Sequence, residues 1–166
     1  MFALEKVSAT IAHLNTRLEK HGEEEMLAAD ITVTADVANS FLDKLSPGLR
    51  ASFYRAEGQA PGEQVDLDAE HLAVLRYPQI ETLKWEGKIE EAEVVLHGRT
   101  KADNTVLEAD VAKLRMTLKE GGTVAVVFQV QLLVEPEQVA HFSGLLGKDV
   151  KVSVTPPPTP DTPPVE

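Results

Sequence analysis

The segment Ala9-Thr-Ile-Ala-His-Leu-Asn-Thr-Arg-Leu18 decides the fold, because a related one, Ala109-Asp-Val-Ala-Lys-Leu-Arg-Met-Thr-Leu118, follows a hundred residues later. Continued to Gly22 and Gly122, the alignment holds five identities in fourteen positions, which alone carries little. A shared change of phase carries more. In the first copy apolar residues alternate as Val7, Ala9 and Ile11, then resume on the opposite parity as Ala12, Leu14 and Leu18. In the second they run Leu107, Ala109 and Val111, then Ala112, Leu114, Met116 and Leu118. Period-2 alternation over this length predicts long strands. A one-residue slip swaps the faces, so both strands are expected to bulge or bend at the same place.

Working outward, Lys20-His21-Gly22-Glu23 and Lys119-Glu120-Gly121-Gly122 supply hairpin glycines. The first return strand alternates Leu27, Ala29, Ile31, Val33 and Ala35 against Ala28, Asp30, Thr32 and Thr34, a wet or partly covered face. The second carries Val124, Val126, Phe128, Val130, Leu132 and Val134 and reads as central and buried. A short helix is expected after each hairpin. Asp36 would cap one bearing Val37, Phe41, Leu42 and Leu45, and Ser46-Pro47 would open another with Leu49, Phe53 and Tyr54. Pro136 would open a third, which Gly147 stops. The repeated unit is strand, hairpin, strand, helix, spanning about residues 4–46 and 104–147.

Residues 56 to 70 read as a long exposed loop rich in Gly, Pro and carboxylates. Strand candidates follow at Leu72 to Tyr77, Thr82 to Trp85, Lys88 to His97 and Val150 to Val154, with Trp85 covering the core. The fold class is α+β, mainly β: an antiparallel sheet or sandwich with short helices, forming one domain over residues 1–155. In residues 156–166, PPPTPDTPPVE, six of eleven residues are proline, so neither helix nor central strand can include them. A disordered, polyproline-II-like tail is expected, with docking to a partner as its functional alternative.

The 166 residues suffice for one hydrophobic core. Sixteen Lys+Arg against 27 Asp+Glu give a net charge of −11, which opposes general binding to duplex nucleic acid or an anionic membrane surface. With no cysteine there are no disulfides, thiolate metal sites or cysteine nucleophile. No apolar run reaches membrane-spanning length, and the start Met1-Phe-Ala-Leu-Glu-Lys lacks the order of a secretory signal, so a cytoplasmic protein is expected.

No HExxH, GxSxG, GxGxxG or GxxxxGK[ST] pattern is present. The histidines, His13, His21, His71, His97 and His141, form no helical ligand pair, and His13, matched by Lys113 in the repeat, reads as a surface residue. Asp66, Asp68, Glu70 and His71 could offer oxygens and an imidazole to a divalent cation, but the glycine an EF-hand needs is replaced by His71. A solvated acidic loop is the plainer reading. Glu23 to Glu25 reads as a charged hairpin tip. Local positive charge meets aromatics at Arg50, Phe53, Tyr54 and Arg55 and again at Arg76, Tyr77, Lys84 and Trp85, the composition of a single-strand stacking surface. The plainer reading is a core margin with snorkelling cations.

Arg17-Leu-Glu-Lys-His-Gly22, Ser46-Pro-Gly-Leu-Arg-Ala-Ser-Phe-Tyr-Arg55, Leu75-Arg-Tyr-Pro78 with Lys84-Trp85, and Val152-Ser-Val-Thr-Pro-Pro157 together resemble a family of small proteins of tailed bacteriophages and prophages. Such proteins are encoded among early or replication–recombination genes and have no established activity. The resemblance spans most of residues 1–157. It implies a phage setting in a bacterial host cytoplasm, and attaches no catalytic residue.

These readings lead to a non-enzymatic binding or accessory protein, without cofactor, acting through contacts with a protein partner of unknown identity. The alternative is a single-stranded-DNA-binding or recombination accessory protein using the Arg50–Tyr54 and Tyr77–Trp85 regions. Weaker alternatives are an acidic mimic that inhibits a host nucleic-acid-binding protein, and a metal-dependent enzyme centred on Asp66, Asp68, Glu70 and His71. A homo-oligomer formed through an unpaired sheet edge is also expected.

Overall fold

In the computed structural model, residues 3–58 and 72–158 are described. Two long strands open the chain, β1 (Leu4–His21) and β2 (Glu24–Ala38), followed by helices α1 (Phe41–Leu45) and α2 (Leu49–Phe53). Short strands β3 (Tyr54–Arg55) and β4 (Val74–Leu75) pair with each other, and β5 (Thr82–Trp85) leads to β6 (Ile89–His97). The second long hairpin is β7 (Thr105–Leu118) and β8 (Thr123–Leu133), followed by α3 (Pro136–Ser143) and β9 (Asp149–Thr155).

The protein is α+β and mainly β, as its alternation predicts, but the sheet closes on itself instead of forming a sandwich. Its strands run antiparallel in the order β7-β6-β9-β1-β2-β8, and β8 pairs with β7 again. Six strands thus make a barrel, with β5 extending the β6 side of β7. Closure removes most of the sheet edges that would otherwise attract foreign strands.

Bulges make closure feasible, because an extra residue bends its strand and sharpens the twist. The expected phase change is one of them: in β1 the register shifts between Ile11 and His13, and in β7 between Ala112 and Arg115. Lys113 has φ of 55°, a left-handed value uncommon outside glycine. Glu91 in β6 and Lys6 in β1 have similar values at two further register shifts. Partners change along β1 and β7, whereas β2 and β8 keep both of theirs. β1 pairs with β9 up to Thr10 and with β2 from Ala9 to His21.

One register serves both halves. Ile11 faces Val33 as Val111 faces Val130, and past the bulges Asn15 faces Asp30 as Arg115 faces Val127. Val7 faces Val152 as Leu107 faces Val94. The barrel is thus pseudo-twofold, with β6 and β9 in equivalent places although they come from different points in the chain.

The inward parity fills the barrel with Val33, Ala92, Val94, Val126, Phe128 and Val152, each fully buried. Burying a side chain of the larger kind contributes roughly 1.5–3 kcal/mol. Phe41, Leu42, Leu45, Tyr54 and Leu72 close the end where β7 finishes, and Phe142 of α3 packs where β7 begins.

Helix boundaries depart from the sequence reading in three places. β2 continues through Ala38, so Asp36 lies in a strand, exposed and 3.4 Å from Lys119 Nζ, and α1 follows Ser40 without a side-chain cap. Pairing of β2 with β8 as far as Ala38 prevails over the capping tendency of Asp36. Ser46-Pro47 is a turn, and α2 starts after Gly48, whose φ of 84° favours glycine. α3 does begin at Pro136, behind a Glu135–Gln138 capping box, but ends at Ser143. Between Leu72 and Tyr77 only Val74–Leu75 is strand. Pro156 to Pro158 follow β9 without regular structure, and the rest of the expected tail lies outside the described residues. No helix among the described residues is long and apolar enough to cross a membrane.

Candidate functional site

The aromatic and basic residues chosen from sequence do not form one surface. Tyr54 is fully buried, and its hydroxyl donates to the Lys119 carbonyl at 2.9 Å while accepting the Lys119 N–H at 3.1 Å. Burial pushes its phenol above the ordinary range, with the Lys119 backbone hydrogen bond acting against that rise. Tyr54 therefore ties α2 to the β7–β8 turn and is withdrawn as a stacking residue. Phe53 packs half-buried against the core. The guanidinium of Arg50 lies 3.5 Å from Asp43, and Arg76 donates from Nε to the Ala51 and Tyr54 carbonyls. Arg55 turns toward its neighbour's carbonyl at Ala56. These cations stitch the end of the barrel together. Tyr77 is exposed beyond β4. Asp66, Asp68, Glu70 and His71 lie outside the described residues.

Lys84 and Trp85 take part in something else. Residues of β1, β2, β8, β7 and β5 line a trough of about 720 Å³. Strand order places β1 and β5 at its flanks, with β2, β8 and β7 as its floor. His13 and Asn15 stand on the β1 flank, and Thr32, Gln129 and Val127 lie on the floor. The other side carries Lys113 and Arg115 from β7, Lys84 and Trp85 from β5, and Lys88 just before β6, with Glu86 the one acid.

Local construction explains this grouping. Beyond the bulges, residues of the inward parity, such as Leu114 and Met116, fill the barrel, and the alternate residues, Lys113 and Arg115, are left outside. The same rule puts His13 and Asn15 outside β1. Pairing of Lys84 with Arg115 brings β5 alongside. Lys88 is 3.2 Å from Asp110, whereas Lys84, Lys113 and Arg115 have no ion-pair partner among the described residues. In a chain of net charge −11, Lys84, Lys113 and Arg115 against Glu86 give this groove a local excess of the opposite sign. Trp85, paired with the inward-facing Leu114 and packed half-buried against the core, borders this groove.

A neighbouring groove differs in kind. Arg17, Glu19 and His21 face Glu91, Glu108 and Asp110 there. Arg17 lies 3.1 Å from Asp30 and also contacts Glu19. Hydrogen bonds to Asp30 first and Glu19 second hold the guanidinium above its ordinary value, and Arg17 holds the Glu19 carboxyl below its own. Each cation there, Arg17, His21 and Lys88, has an acidic partner, which leaves the Trp85 trough as the candidate site. Among the described residues no three His, Asp or Glu side chains converge as metal ligands.

Sequence reasoning reached Lys84 and Trp85 but missed Lys88, Lys113 and Arg115 and set His13 aside as surface. The signal was the matched position of His13 and Lys113 in the repeat, since a pseudo-twofold barrel brings equivalent outer residues of β1 and β7 toward the shared β2–β8 floor. No family model, curated protein or solved structure matches the chain.

Proposed function

We propose that this is a non-enzymatic binding protein whose working surface is the Trp85 trough, and that its ligand is single-stranded nucleic acid. The supporting observation is the coincidence of Lys84, Lys113 and Arg115, without an ion-pair partner among the described residues, with Trp85 in one groove of an acidic molecule. Single-strand binders combine a cationic groove that tracks phosphates with aromatic faces on which bases stack. Hydroxyl and amide groups of Thr32 and Gln129 on the floor and Asn15 on the β1 flank suit base edges. The acidic remainder repels duplex and so confines binding to this groove. The resemblance to phage proteins of the replication–recombination region fits a bacterial cytoplasm and such a ligand. The barrel-end cluster at Arg50, Arg55, Arg76 and Tyr77 has no part in this reading.

Anisotropy of a fluorescent oligothymidylate tests it, titrated with the full chain at low and at physiological salt, with duplex as competitor. Micromolar binding that weakens with salt and resists duplex is expected. No binding at low salt, or equal preference for duplex, sinks it.

A further inference from the structure

Among the described residues β1 leaves a long stretch of sheet edge open. β9 pairs with β1 only as far as Thr10, and at Ile11 the Gly147–Lys148 segment takes over, with Gly147 donating to the Ile11 carbonyl. From Leu14 to His21, β1 has β2 as its one strand neighbour among the described residues. Long exposed edges recruit further strands unless something covers them. In the middle of this one stands Leu18, 66% exposed, the most exposed of the large hydrophobics described.

We propose that β1 pairs antiparallel with β1 of a second copy of this chain, with Leu18 on the twofold axis. The charge pattern selects that occupant and that register. With Leu18 opposite Leu18, Arg17 comes opposite the second copy's Glu19, and Glu19 opposite its Arg17. Like charges avoid each other, and cross-strand opposite charges stabilise a sheet by roughly 0.2–1 kcal/mol a pair. Arg17 and Glu19 already contact each other within one chain, so pairing exchanges partners without leaving a charge alone. In the same register Lys20 comes opposite the second copy's Thr16 and His21 opposite its Asn15, so no further like charges meet along the pair. The contact is isologous and closes as a dimer, so it does not propagate into a fibre. Outer faces continue across the new pair, which sets the two troughs on one extended sheet.

Sedimentation equilibrium of the full chain over the micromolar to hundred-micromolar range tests this, alongside Leu18→Asp. Dimerisation is expected, weakened at least about tenfold by the buried carboxylate. A second variant keeps the test informative if Leu18→Asp folds poorly. The chain has no cysteine, so Leu18→Cys introduces a single thiol, which on a twofold axis meets its copy and oxidises to an inter-chain disulfide. Val106→Cys, on an equally open position of β7, should remain monomeric under the same oxidation. A monomer at every concentration, a dimer indifferent to Leu18→Asp, or equal cross-linking at both cysteines overturns the inference. None of these readouts involves nucleic acid, so the dimer and the trough stand or fall separately.

Discussion

His13 of β1 and Lys113 of β7 stand beside equivalent bulges, a hundred residues apart, and line the same trough. The bulge is thus both a bend that closes the barrel and the device that turns these side chains outward. That double role can be separated at Lys113, where backbone and charge make different demands.

Lys113→Asn removes the cation but tolerates the left-handed backbone, since Asn visits that region readily. It should leave thermal stability nearly unchanged and weaken oligonucleotide binding several-fold. Lys113→Val, β-branched at the same φ, should weaken binding equally and also destabilise the fold by about 1–2 kcal/mol. Denaturant melts of both variants, read beside anisotropy, check this.

Charge reversal at Lys84 and Arg115, paired across β5 and β7, should weaken binding more than tenfold with little effect on melting, because both side chains are exposed. Each lost phosphate contact should lower the slope of log K against log salt by about 0.7. Reversing Lys44 or Lys101, exposed outside the trough, should change affinity little.

Gly87 holds space for Trp85. A β-carbon there would stand 2.6 Å from the indole nitrogen, so Gly87→Ala must displace the ring. The expected results are a shifted tryptophan emission maximum and weaker binding. Unchanged emission would show that the ring is not positioned by this turn.

Tyr54→Phe should cost about 1 kcal/mol at neutral pH, because a buried hydrogen bond is lost while the Lys119 N–H retains the Thr123 carbonyl at 3.0 Å. Its phenol is raised by burial, so the folded state resists ionisation more than the unfolded chain. The stability tied to the neutral phenol is therefore intact below the ordinary range near 10 and is lost as pH rises through the folded value. Wild type should lose stability at alkaline pH more steeply than Tyr54→Phe, as denaturant midpoints between neutral and alkaline pH would show.

The long hairpins, their inward faces and the paired bulges were legible in sequence, because period-2 patterning records which side of a strand meets the core. The parity change from Ile11 to Ala12, and its repeat at Val111, marked the bends to within a residue or two. Barrel closure was not legible, since pairing of β2 with β8 joins strands far apart in the chain and either edge pattern suits a sandwich. Tyr54 was misread because its apolar and basic neighbours make a stacking-like composition, while its burial follows from the β7–β8 turn folding over it. The trough escaped because its residues come from five strands, each ordinary by itself.

Trp85 is the only tryptophan, so intrinsic fluorescence reports on the trough directly. Oligothymidylate added to the full chain at low salt should quench that emission saturably at micromolar concentration. Added salt should restore it, and Lys84→Glu with Arg115→Glu should abolish the change. Emission that stays constant through the titration at low salt, while the same oligonucleotide quenches a known single-strand binder, would contradict a nucleic-acid role for the trough.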